Sequence, residues 1–316
     1  MKFTTPFENR LTIMRTAYLY YLCFLSLVAT GCTPHSRQAE KEQLYVSILP
    51  LRSLVEQIVG DDFKIDVLVP AGASPESFEP TPRQYVALNR SKLIFNVGLI
   101  DFEQNLLRDF PERGKLVDLS RGIRLLEGSC AHGHAHGYAH ESAEKEKAHA
   151  SEEHAHGIDP HIWTSPRALK QMAANAYDAL RASFPDSARY TKNYERLLAR
   201  LDSLDTACAE ALRKADVHTV VIYHPALTYY AADYGLEQLA VEHDGKEPSA
   251  RHLARLIDEA RREKVQRIFY QAQYPASTVE VIAEDIGARC VKIDPLREDI
   301  IENIGEITRE LTSGNE

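Results

Sequence analysis

Basic residues are in short supply: 37 lysines and arginines face 46 aspartates and glutamates, a formal net charge of −9 over 316 residues. A nucleic-acid binder needs a basic face, so that class is excluded. The acidic field attracts cations instead and repels polyanions. Cysteine is scarcer still, with five in the chain and neither a CxxC nor a zinc-finger spacing, so thiolate is not the main ligand of any metal site. Cys130, Cys208 and Cys290 are an odd set; a Cys208–Cys290 disulfide stays open, and Cys130 is either a soft auxiliary donor or an accident of position. Long apolar runs are missing as well. The run AYLYYLCFLSLV is too short to span a hydrocarbon core of about 30 Å as a helix. There is no GxSxG, no HExxH and no phosphate-cradling glycine loop, which leaves the common hydrolase and nucleotide motifs unrepresented.

What is present is a globular composition, 44% hydrophobic and 26% charged, in a chain long enough for two cores of ordinary size. At the N-terminus Arg10 and Arg15 precede that short apolar run, the arrangement of an export signal. The run ends in LVATGC, which resembles the bacterial lipoprotein signal, where cleavage leaves the cysteine as a lipidated first residue. Residues 1–31 are then the signal peptide and Cys32 the lipid anchor. An ordinary cleaved signal followed by a free cysteine is the alternative. Initiation at Met14 would shorten the basic region without changing the conclusion.

After a polar tether, residues 32–43, the chain alternates short apolar runs with amphipathic stretches. LYVSIL, FKIDVLV, SKLIFNVG and KLVDLS read as strands, with helices over Leu51–Ile58, near Pro82–Asn89 and over Phe102–Phe110 between them. Such alternation predicts an α/β fold of two lobes, each a mainly parallel sheet flanked by helices. The N-terminal lobe covers 44–186 and carries a histidine-rich insertion at 128–157, which has no hydrophobic periodicity. Tyr190, Tyr194, Leu197, Leu198, Leu201, Leu204, Cys208 and Leu212 fall three or four apart, predicting one long helix at 187–214 that joins the lobes. HTVVIYH, LEQLAVE, RIFYQ and RCVKID supply the strands of the C-terminal lobe, 215–316.

In such folds function gathers at the C-terminal ends of strands. Four motifs lie just past predicted strands and bring oxygen or nitrogen donors: PAGASPESFEPTP with Glu76 and Glu79, GIDPHIW with Asp159 and His161, IYHPALTYY with His224, and KIDPLRED with Asp294. Singly, each has an ordinary structural explanation as a solvated carboxylate, a hydrogen-bonded histidine or a helix cap. Jointly, two imidazoles and two carboxylates suffice to enclose a divalent ion between the lobes, and binding would draw the lobes together.

These motifs, with HDGKEPSA, resemble in order those of the metal-binding solute-binding proteins of ABC transporters, the zinc- and manganese-uptake group, over residues 44 to 312. The resemblance implies two α/β lobes bridged by a rigid helix, with an ion held between them and delivered to a membrane permease. Carried over by motif, the ligands are Glu76, His161, His224 and Asp294. Glu76 departs from the family pattern, which often has histidine there, and Glu79 is its local competitor. The donor set becomes harder and less selective against manganese. His132, His134, His136, His140, His149, His154 and His156 form a loop like that of several zinc-uptake members, and imidazole suits zinc, so Zn2+ is the expected cargo and Mn2+ the alternative. Asp159, Tyr223, Tyr270, Gln271 and Gln273 are expected to orient the ligands from behind. The protein is expected to work as a monomeric lipoprotein, periplasmic or on the cell surface, and not as an enzyme. HAHGIDPH is superficially like the HxHxDH of metallo-β-lactamase-type hydrolases, but Asp159 follows His156 by three residues instead of two. A surface metal buffer or adhesin of the same fold is the other alternative.

Overall fold

The computed structural model describes residues 41–108, 110–128, 157–185, 188–242, 248–274 and 276–313. Strands Gln43–Val46 (β1), Lys64–Val67 (β2), Ile94–Asn96 (β3) and Leu116–Asp118 (β4) form a parallel sheet in the order β2-β1-β3-β4. Helices Leu49–Val59 (α1), Pro82–Leu88 (α2) and Asp101–Leu107 (α3) make the crossovers. Parallel pairing requires such crossovers, and helices over the faces explain why β1 and β3 are apolar without alternation. Helix α1 starts with Pro50 in its first turn and buries Leu51, Leu54, Val55, Ile58 and Val59 against the sheet.

Two short strands, Glu127–Gly128 (β5) and Gly157–Ile158 (β6), pair antiparallel, with Gly128 beside Gly157. Past them runs Pro166–Ser183 (α4), a helix that the strand-and-linker reading did not anticipate. Its signals are ordinary: Ser165 accepts the Ala168 amide as N-cap, Pro166 follows, and Leu169, Met172, Ala173, Ala176 and Leu180 fall on one buried face. Next comes Ala188–Lys214 (α5), 27 residues, roughly 40 Å of rod at about 1.5 Å per residue. It packs against both α1 and α4, and against the last helix of the chain.

The second parallel sheet holds Thr219–Ile222 (β7), Glu237–Ala240 (β8), Arg267–Gln271 (β9) and Arg289–Ile293 (β10) in the order β10-β9-β7-β8. Helices Thr228–Tyr234 (α6), Ala250–Arg262 (α7), Ser277–Ile286 (α8) and Ile300–Thr312 (α9) accompany it. The fold is therefore α/β with two parallel sheets flanked by helices. One continuous apolar core runs from the first sheet through α4 and α5 to Phe269 and Ile293 of the second, while a separate cluster around Val221, Ile268 and Ile282 fills its other side. Cys208 and Cys290 are free thiols, and the Cys208 sulfur lies 3.1 Å from the Thr308 hydroxyl. Among the described residues no helix is long and apolar enough to cross a membrane.

Candidate metal centre

Each sheet delivers a loop from its C-terminal edge to a common place. After β2 the chain turns through Gly72 and enters a short 3-10 turn, Pro75–Ser77, that carries Glu76. Thr81 closes this loop with a capping box to Gln84, whose amide donates to the Leu68 carbonyl at 2.9 Å. The loop is thus tied at its far end, and Phe78 packs edge-on against Phe102 of α3. After β6, Asp159 and Pro160 set His161 in a second turn. After β7, His224 follows directly on Tyr223 and is 3% exposed.

The three side chains converge. The Glu76 Oε1 atom lies 3.4 Å from His161 Nε2 and 3.1 Å from His224 Nε2, and the two Nε2 atoms are 3.4 Å apart. Zinc ligands at about 2.0–2.1 Å in a tetrahedron stand roughly 3.3 Å from one another, so this triangle has the edge lengths of one face of a zinc site. The cavity beside it is lined by Ser74, Trp163, Gln273, Tyr274 and Leu296, among others.

The backs of both imidazoles are occupied by buried carboxylates. Asp159, fully buried, places Oδ1 at 3.0 Å from His161 Nδ1 and accepts the His161 amide at 2.8 Å. Its Oδ2 accepts the Thr228 hydroxyl at 2.7 Å, and its backbone carbonyl accepts the Tyr229 hydroxyl at 2.9 Å. Gly128 must be glycine for this packing, since a Cβ there would sit 2.7 Å from the Asp159 Cβ. Glu242 Oε2 stands 3.0 Å from His224 Nδ1. A carboxylate behind each Nδ1 favours the Nδ1–H tautomer, which would turn each Nε2 lone pair to the centre once an ion replaces the proton shared with Glu76. Burial opposes the ionised form of Glu76, but hydrogen bonds and charge attraction from His161 and His224 overcome it and hold the carboxyl well below the usual carboxylate range. Burial also opposes the ionised form of Asp159, and the charge of His161 reverses it downward.

Asp294, expected from sequence among the ligands, stands outside this cluster among the described residues. Its Oδ1 accepts the Leu296 amide at 3.0 Å and the Gln273 side-chain amide at 3.4 Å. The adjoining Pro295 and Leu296 line the cavity. Glu79 is exposed and takes no part. Gln271 grips the His224 backbone on both sides, accepting its amide and donating to its carbonyl. Tyr223 packs on Tyr274, and both belong with Tyr270 to the apolar cluster on the other side of the second sheet. Cys32, His132, His134, His136, His140, His149, His154 and His156 lie outside the described residues.

Sequence reasoning did not single out Glu242, Ser74, Tyr274, Thr228 or Tyr229. For Glu242 the sequence held no signal: what sets it behind His224 is the pairing of β7 with β8, Ile222 opposite Ala240, continued by two residues.

Residues 44–312 match the family described as zinc-uptake complex component A, periplasmic. The chain is 27% identical over 281 residues to the zinc-binding lipoprotein AdcA of Streptococcus pneumoniae strain R6, covering 87% of this chain and 54% of that protein, so it spans about half the length of those streptococcal relatives. It is 28% identical over 284 residues to the high-affinity zinc uptake system protein ZnuA of Bacillus subtilis strain 168, covering 87% and 86%. A crystal structure of ZnuA superposes with a TM-score of 0.74 at 30% identity, covering 87% of this chain and all of that one. A zinc-bound 138-173 deletion mutant of ZnuA gives the same score and identity over 87% and 98%. With most of its length matched and the same fold in these structures, the chain belongs to the family of the periplasmic component A of zinc-uptake complexes.

Proposed function

We propose that this protein captures a single divalent ion, zinc in preference to manganese, outside the cytoplasm and hands it to an ABC permease, with no chemical turnover of its own. The observation that carries the reading is the triangle of Glu76 Oε1, His161 Nε2 and His224 Nε2 beside a cavity. Three donors from separate chain segments, two with their Nδ1 atoms backed by carboxylates, have the composition of a zinc site with one position left for a further ligand. Glu76, His161 and His224 are the proposed ligands, and Asp294 bonds the Leu296 amide and Gln273 beside them. Residues 44–186 and 215–316 are the proposed lobes, with 187–214 between them. The LVATGC sequence supports anchoring through lipid on Cys32, and the histidines at 132–156 support ion gathering near the cleft. The relatives' names supply the zinc, the lipoprotein character and the uptake system.

Calorimetric titration of chelator-treated protein with zinc tests the assignment. One tight equivalent is expected. His224→Ala should weaken it at least a hundredfold, since it removes a preorganised ligand, whereas Asp294→Ala should change it less than about tenfold. Equal losses in the two variants would place the ion elsewhere.

A further inference from the structure

The two oxygens of Glu76 have different surroundings. Oε1 faces the two imidazoles, while Oε2 is turned away from them and accepts the hydroxyl of Ser74. Ser74 occupies the N-cap position of the 3-10 turn, yet its side chain does not cap that turn; the hydroxyl is spent on Glu76. The Tyr274 hydroxyl approaches the same Oε2 to 3.5 Å. It comes from the loop after β9, on the other sheet, and its ring is held nearly parallel to His224, 5.2 Å away at 17°, and against Tyr223 at 5.1 Å. One carboxylate oxygen therefore faces the imidazoles, and the other bonds Ser74 with the Tyr274 hydroxyl of the other sheet nearby.

Resting on the reading of this site as an ion-capture centre, we propose that Ser74 and Tyr274 are specificity-determining positioning residues, which keep Glu76 a one-oxygen ligand and so favour zinc over manganese. The physical reason is coordination number. Zinc is satisfied by four donors in a tetrahedron. Manganese is harder, prefers oxygen and takes a larger shell. For Glu76 to bind through both oxygens, Oε2 must swing toward the ion and give up the Ser74 bond and the Tyr274 contact. The hydroxyls thereby offset part of the loss of selectivity expected when a carboxylate stands where a third imidazole would be.

The test uses full-length protein carrying Ser74→Ala, Tyr274→Phe and both together, each removing one hydroxyl and keeping the rest of the side chain. Zinc and manganese affinities are measured by competition titration, and the cobalt-substituted forms by visible absorption, which is intense for a tetrahedral ion and weak for a larger shell. The double variant should lose about tenfold in zinc-over-manganese selectivity, the usual scale for removing partners that orient a ligand. Its cobalt bands should weaken, and Ser74→Thr should restore the wild-type behaviour. Unchanged selectivity together with an unchanged cobalt spectrum would overturn the proposal while leaving the capture site intact. Failure of the wild type itself to hold zinc tightly would instead overturn the reading of the site, and this inference with it.

Discussion

At the scale of single residues, the centre depends on buried charge arranged in pairs. Glu242 is 6% exposed and 3.0 Å from His224 Nδ1; it favours the Nδ1–H tautomer and makes the imidazole a better donor. Glu242→Gln keeps the shape and removes the charge, and should weaken zinc binding about tenfold in a competition titration, with the thermal midpoint of the metal-free protein much less affected. A second buried carboxylate, Glu103, has a different task. It accepts the amides of Val97, Gly98 and Ile100 at 2.9, 2.8 and 3.4 Å and so shapes the turn between β3 and α3. Burial pushes its carboxyl up to about 7, against the pull of those amides. A folded pKa above the ordinary glutamate value means that the folded state binds the proton more tightly than the unfolded one. Its contribution is therefore most favourable below about pH 4.5 and is lost as pH rises to about 7, on the order of 3 kcal/mol. Denaturant titrations across that window should show this loss in the wild type and a flatter profile in Glu103→Gln; parallel profiles would refute it.

Among the elements, α5 spans Ala188–Lys214 in the stretch where the spacing of apolar residues leads one to expect a long helix. Its stripe of Tyr190, Leu197, Leu201, Cys208 and Leu212 is buried, and through it the helix meets α1, α4 and α9. Leu201→Ala in this fully buried position should cost about 2–5 kcal/mol in equilibrium unfolding, more than substitution of its exposed neighbour Arg200. Helix α4 was not expected from the sequence, although its buried face of Leu169, Met172, Ala173, Ala176 and Leu180 is well marked. The strands were legible as apolar runs, but their pairing order was not. Order β10-β9-β7-β8 is a matter of which faces the helices cover. That order in turn sets Glu242 behind His224 and Gln271 across its backbone.

For the whole molecule, binding of an ion only to the folded state must raise apparent stability, by about 2.7 kcal/mol at a free concentration a hundred times the dissociation constant. Thermal unfolding should accordingly shift upward with zinc, return with chelator, and not shift in His224→Ala. Deleting residues 130–156 should preserve the one tight zinc equivalent, because all three converging donors lie outside that segment; its disappearance would relocate the site. The sequence by itself determined the α/β alternation, the long central helix and the residues able to donate to an ion. It could do so because hydrophobic period and donor chemistry are local properties of a few neighbouring side chains. Only the tertiary structure decided that Glu76, His161 and His224 meet while Asp294 stands outside their cluster, and that Glu242, Ser74 and Tyr274 stand behind them. Those are distances of a few ångströms between residues far apart in the chain, set by strand register and by packing across two sheets.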